Sequence, residues 1–112
     1  VVYVYDKGDR VLKDLVERIK EVVRDVDILS RWGGEEFTIL MAQTGREGAL
    51  RMAERCRRIV ADSLFDEVGP VTISLGVTCY RPDDNERMFF KRADDALYQA
   101  KAEGKNRVVW IG

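Results

Sequence analysis

Apolar and polar positions follow two different periods along this chain, and the places where one period gives way to the other mark out the elements. Val1 to Tyr5 form a short apolar, β-branched run of the kind found in a buried strand. From Arg10 to Arg24 the residues Val11, Leu12, Leu15, Val16, Ile19, Val22 and Val23 recur every three or four positions, which predicts one face of a helix. The apolar runs 27–32 and 37–42 flank Gly33-Gly34. A glycine pair between two such runs predicts a hairpin, because glycine takes positive φ without a Cβ clash. A second helix is expected over 45–62, striped by Ala49, Met52, Ala53, Cys56, Ile59 and Val60, and this stripe reads as core. Gly69-Pro70 predicts a break in the chain. Residues 71–80 are β-rich, and 85–104 repeat Phe89, Ala93, Ala96, Leu97 and Ala100 at helical spacing, with Gly104 as the stop. Residues 106–111 close as a strand. The predicted order β-α-β-β-α-β-α-β is an α/β fold with a mixed central sheet flanked by helices.

Composition narrows what such a fold can do. With 112 residues and 46% hydrophobic content, one globular domain spanning 1–112 is expected. Nineteen Lys and Arg against 20 Asp and Glu give a formal charge of −1, so no global basic field draws a long nucleic acid. An anionic ligand has to be held locally. The chain has two cysteines and no histidine, which excludes zinc patterns built from four nitrogen or sulfur ligands and fits a reducing cytoplasm. No apolar run approaches the roughly 18 residues of a membrane span.

The hairpin needs its glycines, but it does not need the adjacent carboxylates of Glu35 and Glu36. Two acidic residues at the mouth of a turn are either surface decoration or a site for a cation and its ligand. The stretch "RWGGEEF", the downstream "VTISLGV" and the terminal "ADDALYQAKAEGKNRV" together resemble the GGDEF domain of diguanylate cyclases, in order and approximate spacing over essentially the whole chain. That resemblance implies a palm fold like that of the nucleotidyl cyclases. It also implies an enzyme that condenses two GTP molecules into cyclic di-GMP with release of two pyrophosphates, each GTP held on one domain and two domains facing each other.

The site residues follow from the same resemblance. Glu35 and Glu36 are expected to ligate Mg²⁺ or Mn²⁺ and to assist deprotonation of the attacking hydroxyl, tasks that suit hard cations and oxygen donors. Gly33 and Gly34 would let the turn approach the nucleotide. Lys101 and Lys105, four apart at the expected end of the last helix, match the family's basic pair and are expected to hold β- and γ-phosphate oxygens. Read alone, they equally suit a helix C-terminus complementing the helix dipole. Asp9, after Gly8, matches an aspartate that contacts the guanine edge, and its plainer reading is a helix N-cap. Arg24 and Asp27, in "RDVD", stand at the family's inhibitory Arg-x-x-Asp position, with Arg55 as a further arginine for the same cyclic di-GMP ligand; without the resemblance they read as a charged surface loop.

The chain departs from the family pattern at its front. "VVYVY" runs directly into "DKGDRVL", with no helix before the first strand and no segment between residues 4 and 6 carrying the family's metal Asp and guanine Asn. Either the chain lacks that stretch or the sequence is interrupted there. Two functions stand side by side: an active cyclase with product feedback inhibition, and an inactive GGDEF module that senses cyclic di-GMP through the Arg-x-x-Asp site. A structural fragment with neither activity is the third. The expected partners are GTP, cyclic di-GMP, a second GGDEF domain for catalysis, and an N-terminal sensory or receiver domain outside this chain. The expected location is the cytoplasm, free or as the cytoplasmic domain of a membrane-bound sensor.

Overall fold

The structure is a computed structural model that describes residues 2–5, 9–31, 36–62, 64–65 and 69–112; for 2–5, 9–14, 31, 36–37, 64–65 and 69–70 the backbone path is described. Its elements run β1 (Val2–Tyr5), α1 (Asp9–Lys20), β2 (Ile28–Arg31), β3 (Glu36–Leu40), α2 (Arg46–Ala61), β4 (Leu64–Phe65), β5 (Gly69–Pro70), β6 (Ser74–Val77), α3 (Glu86–Ala102) and β7 (Val108–Trp110). Five strands form one mixed sheet in the order β2-β3-β1-β6-β7. β1 lies in its middle, antiparallel to both β3 and β6, and β7 joins β6 in parallel. The central place of β1 accounts for its unbroken apolar run.

Alternation along β6 divides the core between the two faces of the sheet. Ile73, Leu75 and Val77 pack with Leu15 and Ile19 of α1 and with Ala49, Met52, Ala53, Cys56 and Val60 of α2. Burial pushes the Cys56 thiol up to about 12, with the nearby Arg55 charge opposing it, so this cysteine is a core residue rather than a nucleophile. On the other face Gly76 lies against the backbone of α3. A Cβ there would stand 2.2 Å from the Leu97 nitrogen and 2.4 Å from the Ala93 carbonyl oxygen. The small residues Ala93, Ala96 and Ala100 on α3 are all fully buried, which is how helix and strand come so close.

Four expectations change in detail. Helix α1 ends at Lys20, not Arg24, because Glu21 and Val22 already close three-residue turns onto Arg18 and Ile19. Val22 stays buried all the same, so the apolar period outlasts the helix. Gly69-Pro70 does not simply break the chain: it pairs with Leu64–Phe65 in a separate two-stranded ribbon. The β-rich stretch 71–80 is ladder-paired only over Ser74–Val77. Finally, Gly104 does stop α3, but the helix ends at Ala102, so Lys105 lies beyond it. The expected gap between residues 4 and 6 falls at the end of β1, whose last described residue is Tyr5; residues 6–8 lie outside the described residues.

Candidate functional site

Strand register decides which loops share an end of the sheet. Tyr5 at the end of β1 pairs with Glu36 at the start of β3 and with Ser74 at the start of β6. β7 enters at the same level, Val108 opposite Leu75. Four chain segments therefore meet at one end, called here the hairpin end: the start of β3 at Glu36, the start of α1 at Asp9, the last turn of α3 with Lys101, and the turn carrying Lys105. From β3 to β7 is three strand spacings, roughly 14 Å at about 4.8 Å each. Gly33, Gly34 and Glu35 themselves lie outside the described residues, and Glu36 is the first residue of β3. Asp9 is the first residue of α1.

The basic pair does not share a helix face as its spacing suggested. Lys101 is in the last turn of α3, and Glu103 is its C-cap. Gly104 (φ 122) then takes the left-handed conformation, its amide donating to the Lys101 carbonyl at 3.3 Å while the Lys105 amide donates to the Ala100 carbonyl at 3.0 Å. This pair of bonds is a Schellman ending. Lys105 (φ 64) and Asn106 (φ 47) continue in the left-handed region, so Lys105 projects from a tight basic turn.

The arginine pair lies at the opposite end, where β2 begins and β3 finishes. Arg24 and Asp27 close a turn, with the Asp27 amide donating to the Arg24 carbonyl at 3.0 Å. The guanidinium grips the carboxylate through Nε–Oδ2 at 3.1 Å and Nη2–Oδ1 at 2.8 Å, and this hydrogen bonding holds the Asp27 carboxyl below its ordinary range. Nη2 also donates to the Thr44 hydroxyl at 2.7 Å and to the Ala42 carbonyl at 3.2 Å, which ties the turn to the β3–α2 loop. Arg24 then lines a cavity of about 210 Å³ together with Val22, Met41, Thr44, Arg51 and Arg55. The structure thus brings Arg24 and Arg55 to one cavity and adds Arg51, which stands one turn before Arg55 on α2 and which no sequence motif singles out.

A second arginine–aspartate pair goes unmarked in the sequence. Arg92 of α3 donates to both Asp84 oxygens, at 2.9 and 2.6 Å, to the Thr78 hydroxyl at 2.7 Å and to the Cys79 carbonyl at 2.7 Å. The signal available was a charged residue three positions after Phe89 and four before Ala96, inside the buried stripe of α3. Among the described residues no group of three His, Cys, Asp or Glu side chains is placed to hold a metal ion, and no helix is long and apolar enough to cross a membrane.

Comparison with known proteins bears on the family and the fold. The family model described as diguanylate cyclase, GGDEF domain, matches residues 4–107. Diguanylate cyclase DgcM of Escherichia coli is 40% identical over 107 residues, covering 96% of this chain and 26% of the relative. Response regulator PleD of Caulobacter vibrioides is 43% identical over 111 residues, covering 94% of this chain and 24% of its own length. Among solved structures, diguanylate cyclase SiaD of Pseudomonas aeruginosa, in complex with its activator SiaC, superposes with a TM-score of 0.90 at 32% identity, over 98% of this chain and 48% of that one. The chain thus spans about a quarter of the length of the curated relatives it matches.

Proposed function

The chain belongs to the GGDEF domain family, and on that premise we propose that residues 1–112 act as one domain of a diguanylate cyclase. Two GTP molecules, each held on one domain of a facing pair, are joined into cyclic di-GMP. In each of two steps a ribose 3′-hydroxyl attacks the α-phosphorus of the other nucleotide, its proton passes to a base, and pyrophosphate leaves. The observation that supports this reading is the strand register, by which Glu36 at the start of β3 and the basic turn before β7 share one end of the sheet.

Each residue has a task that suits its chemistry. Glu35 and Glu36 supply the hard oxygen donors that fit Mg²⁺ or Mn²⁺, which when bound would neutralise charge on the triphosphate. One of the two carboxylates takes the hydroxyl proton. Gly33 and Gly34 leave room for the nucleotide at the turn. Asp9 accepts from the guanine edge, and Lys101 and Lys105 bind the β- and γ-phosphates, where their ammonium groups act as point charges. Arg24, Asp27 and Arg55, with Arg51 beside them, form a product site at the far end of the sheet, so feedback has to work through how two domains face each other. The domain works in the cytoplasm under a sensory or receiver domain elsewhere in the protein.

Glu36→Gln tests the reading. With Mg²⁺ or Mn²⁺ and GTP, the intact dimeric protein is expected to release pyrophosphate and the cyclic dinucleotide, and the variant is expected to lose both while keeping its melting temperature. Unchanged turnover in the variant would remove Glu36 from the chemistry. A wild-type protein that binds cyclic di-GMP without turning over GTP would favour the receptor reading, for which the arginine-lined cavity is the supporting observation.

A further inference from the structure

The turn that carries Lys105 is an unusual piece of backbone. Gly104, Lys105 and Asn106 all take positive φ in succession, at 122, 64 and 47°. Glycine does so freely and asparagine tolerates it, but a lysine there is held against its preference. Most of what holds the turn is local. The Gly104 and Lys105 amides bond back to α3, and the Lys105 carbonyl accepts from Arg107 Nε at 3.1 Å. Among the described residues one side-chain bond to this turn comes from another helix: Arg57 Nη1 of α2 donates to Asn106 Oδ1 at 3.0 Å, across 49 positions of sequence.

Arg57 is itself aimed. Its Nε donates to both Glu54 oxygens at 3.0 Å and its Nη2 to Glu54 Oε1 at 2.5 Å. One edge of the guanidinium is thus taken up on α2, and Nη1 is left pointing at Asn106. The planar fork of arginine can serve both partners at once, whereas a lysine ammonium has no such fixed geometry. The Arg57 side chain is only 21% exposed, so the arrangement is partly shielded from water.

We propose that Arg57 is a positioning residue for substrate phosphate: through Asn106 it fixes the basic turn so that the Lys105 ammonium stands ready at the hairpin end. The proposal rests on the reading of Lys105 as a phosphate ligand. Arg57 acts on affinity for the triphosphate and touches no reacting atom.

The test is calorimetric binding of GTP and of guanosine to the intact protein, with melting temperatures measured alongside. Arg57→Ala and Asn106→Ala are each expected to weaken GTP by roughly three- to tenfold, the scale of a single hydrogen bond, and to leave guanosine unchanged. The double variant is expected to be no worse than either single one, since both remove the same tie. Arg57→Lys keeps a cation beside Glu54, so it should hold the wild-type melting temperature and still weaken GTP, a split that a purely structural ion pair cannot produce. Three results overturn the inference while leaving the phosphate reading in place: wild-type GTP affinity in Arg57→Ala when Lys105→Ala binds GTP weakly, equal losses for GTP and guanosine, or additive losses in the double variant. Lys105→Ala with undiminished GTP affinity would bring down the phosphate reading itself and this inference with it.

Discussion

Arg24 and Arg92 each grip an aspartate with two guanidinium nitrogens at the same end of the sheet, yet Arg92 is 11% exposed and Arg24 47%. Both guanidiniums also reach a threonine hydroxyl and a backbone carbonyl, Thr78 and Cys79 for Arg92 and Thr44 and Ala42 for Arg24, and both aspartates accept a backbone amide, Asp84 from Arg81 at 2.8 Å and Asp27 from Arg24 at 3.0 Å. Arg92 is a fastener between α3 and the segment following β6. Arg24 is tied to its turn and to the β3–α2 loop, but nearly half of it faces outward beside two further arginines and an open cavity. Identical pair chemistry therefore serves anchoring in one place and leaves cationic surface available for an anion in the other. Burial of the arginine decides which.

The largest effect is expected on breaking the fastener. Asp84→Ala leaves Arg92 covered and without its carboxylate, and should lower the melting temperature by roughly 10 °C or more. Acid tests the same pair without mutation. Hydrogen bonding from Arg92 holds the Asp84 carboxyl down to about 2, below the roughly 3.9 of an unfolded chain. The stability this contributes is full above about pH 4 and drains away as pH falls toward about 2. In Asp84→Asn that part of the pH–stability curve should flatten. An unchanged acid profile in this variant would mean that other carboxylates govern acid unfolding.

Arg24→Ala should show the reverse pattern. The Asp27 side chain is fully covered, so losing Arg24 costs some stability, but the half-exposed arginine leaves its site open to water and the melting temperature should fall by less than in Asp84→Ala. Affinity for cyclic di-GMP, measured by calorimetry, should fall roughly ten- to a hundredfold, the usual worth of a charge-assisted hydrogen bond, with the initial rate of GTP turnover nearly intact. Wild-type affinity in this variant would make Arg-x-x-Asp a turn lock and nothing more, and the two pairs would then differ only in exposure.

These contrasts also show what is legible in sequence. The helix stripes and the hairpin are, because periodicity and a glycine pair are local signals, and Arg24, Asp27 and Arg55 stand out on a matching motif. Arg92 does not, since its meaning depends on Asp84 reaching it from the β6–α3 loop, a tertiary fact. Gly76 carries no local signal of its role in the sequence, and only the approach of the α3 backbone explains it. The placing of Lys105 is a different kind of miss. Gly104 reads as a helix stop, and a residue after the stop cannot share the face of Lys101, so a shared face for the two lysines is at odds with the chain's own glycine.

The smallest expected effect lies at Thr44, and it sharpens the comparison most. Its hydroxyl accepts from Arg24 Nη2 at 2.7 Å and donates to the Ala42 carbonyl at 2.8 Å, closing a triangle with the bond from Arg24 to the same carbonyl. Thr44→Val keeps the volume of the side chain, so the 210 Å³ cavity keeps its wall, and Arg24 retains Asp27 and Ala42 as acceptors. What is lost is one of the contacts that hold the guanidinium in place before a ligand arrives. If readiness of Arg24 is part of the affinity, the variant should bind cyclic di-GMP roughly two- to fourfold more weakly, a fraction of one neutral hydrogen bond, with no measurable change in melting temperature. Calorimetry again decides: wild-type affinity would show that Asp27 and Ala42 suffice to orient Arg24, whereas a loss matching that of Arg24→Ala would make the hydroxyl itself a ligand contact.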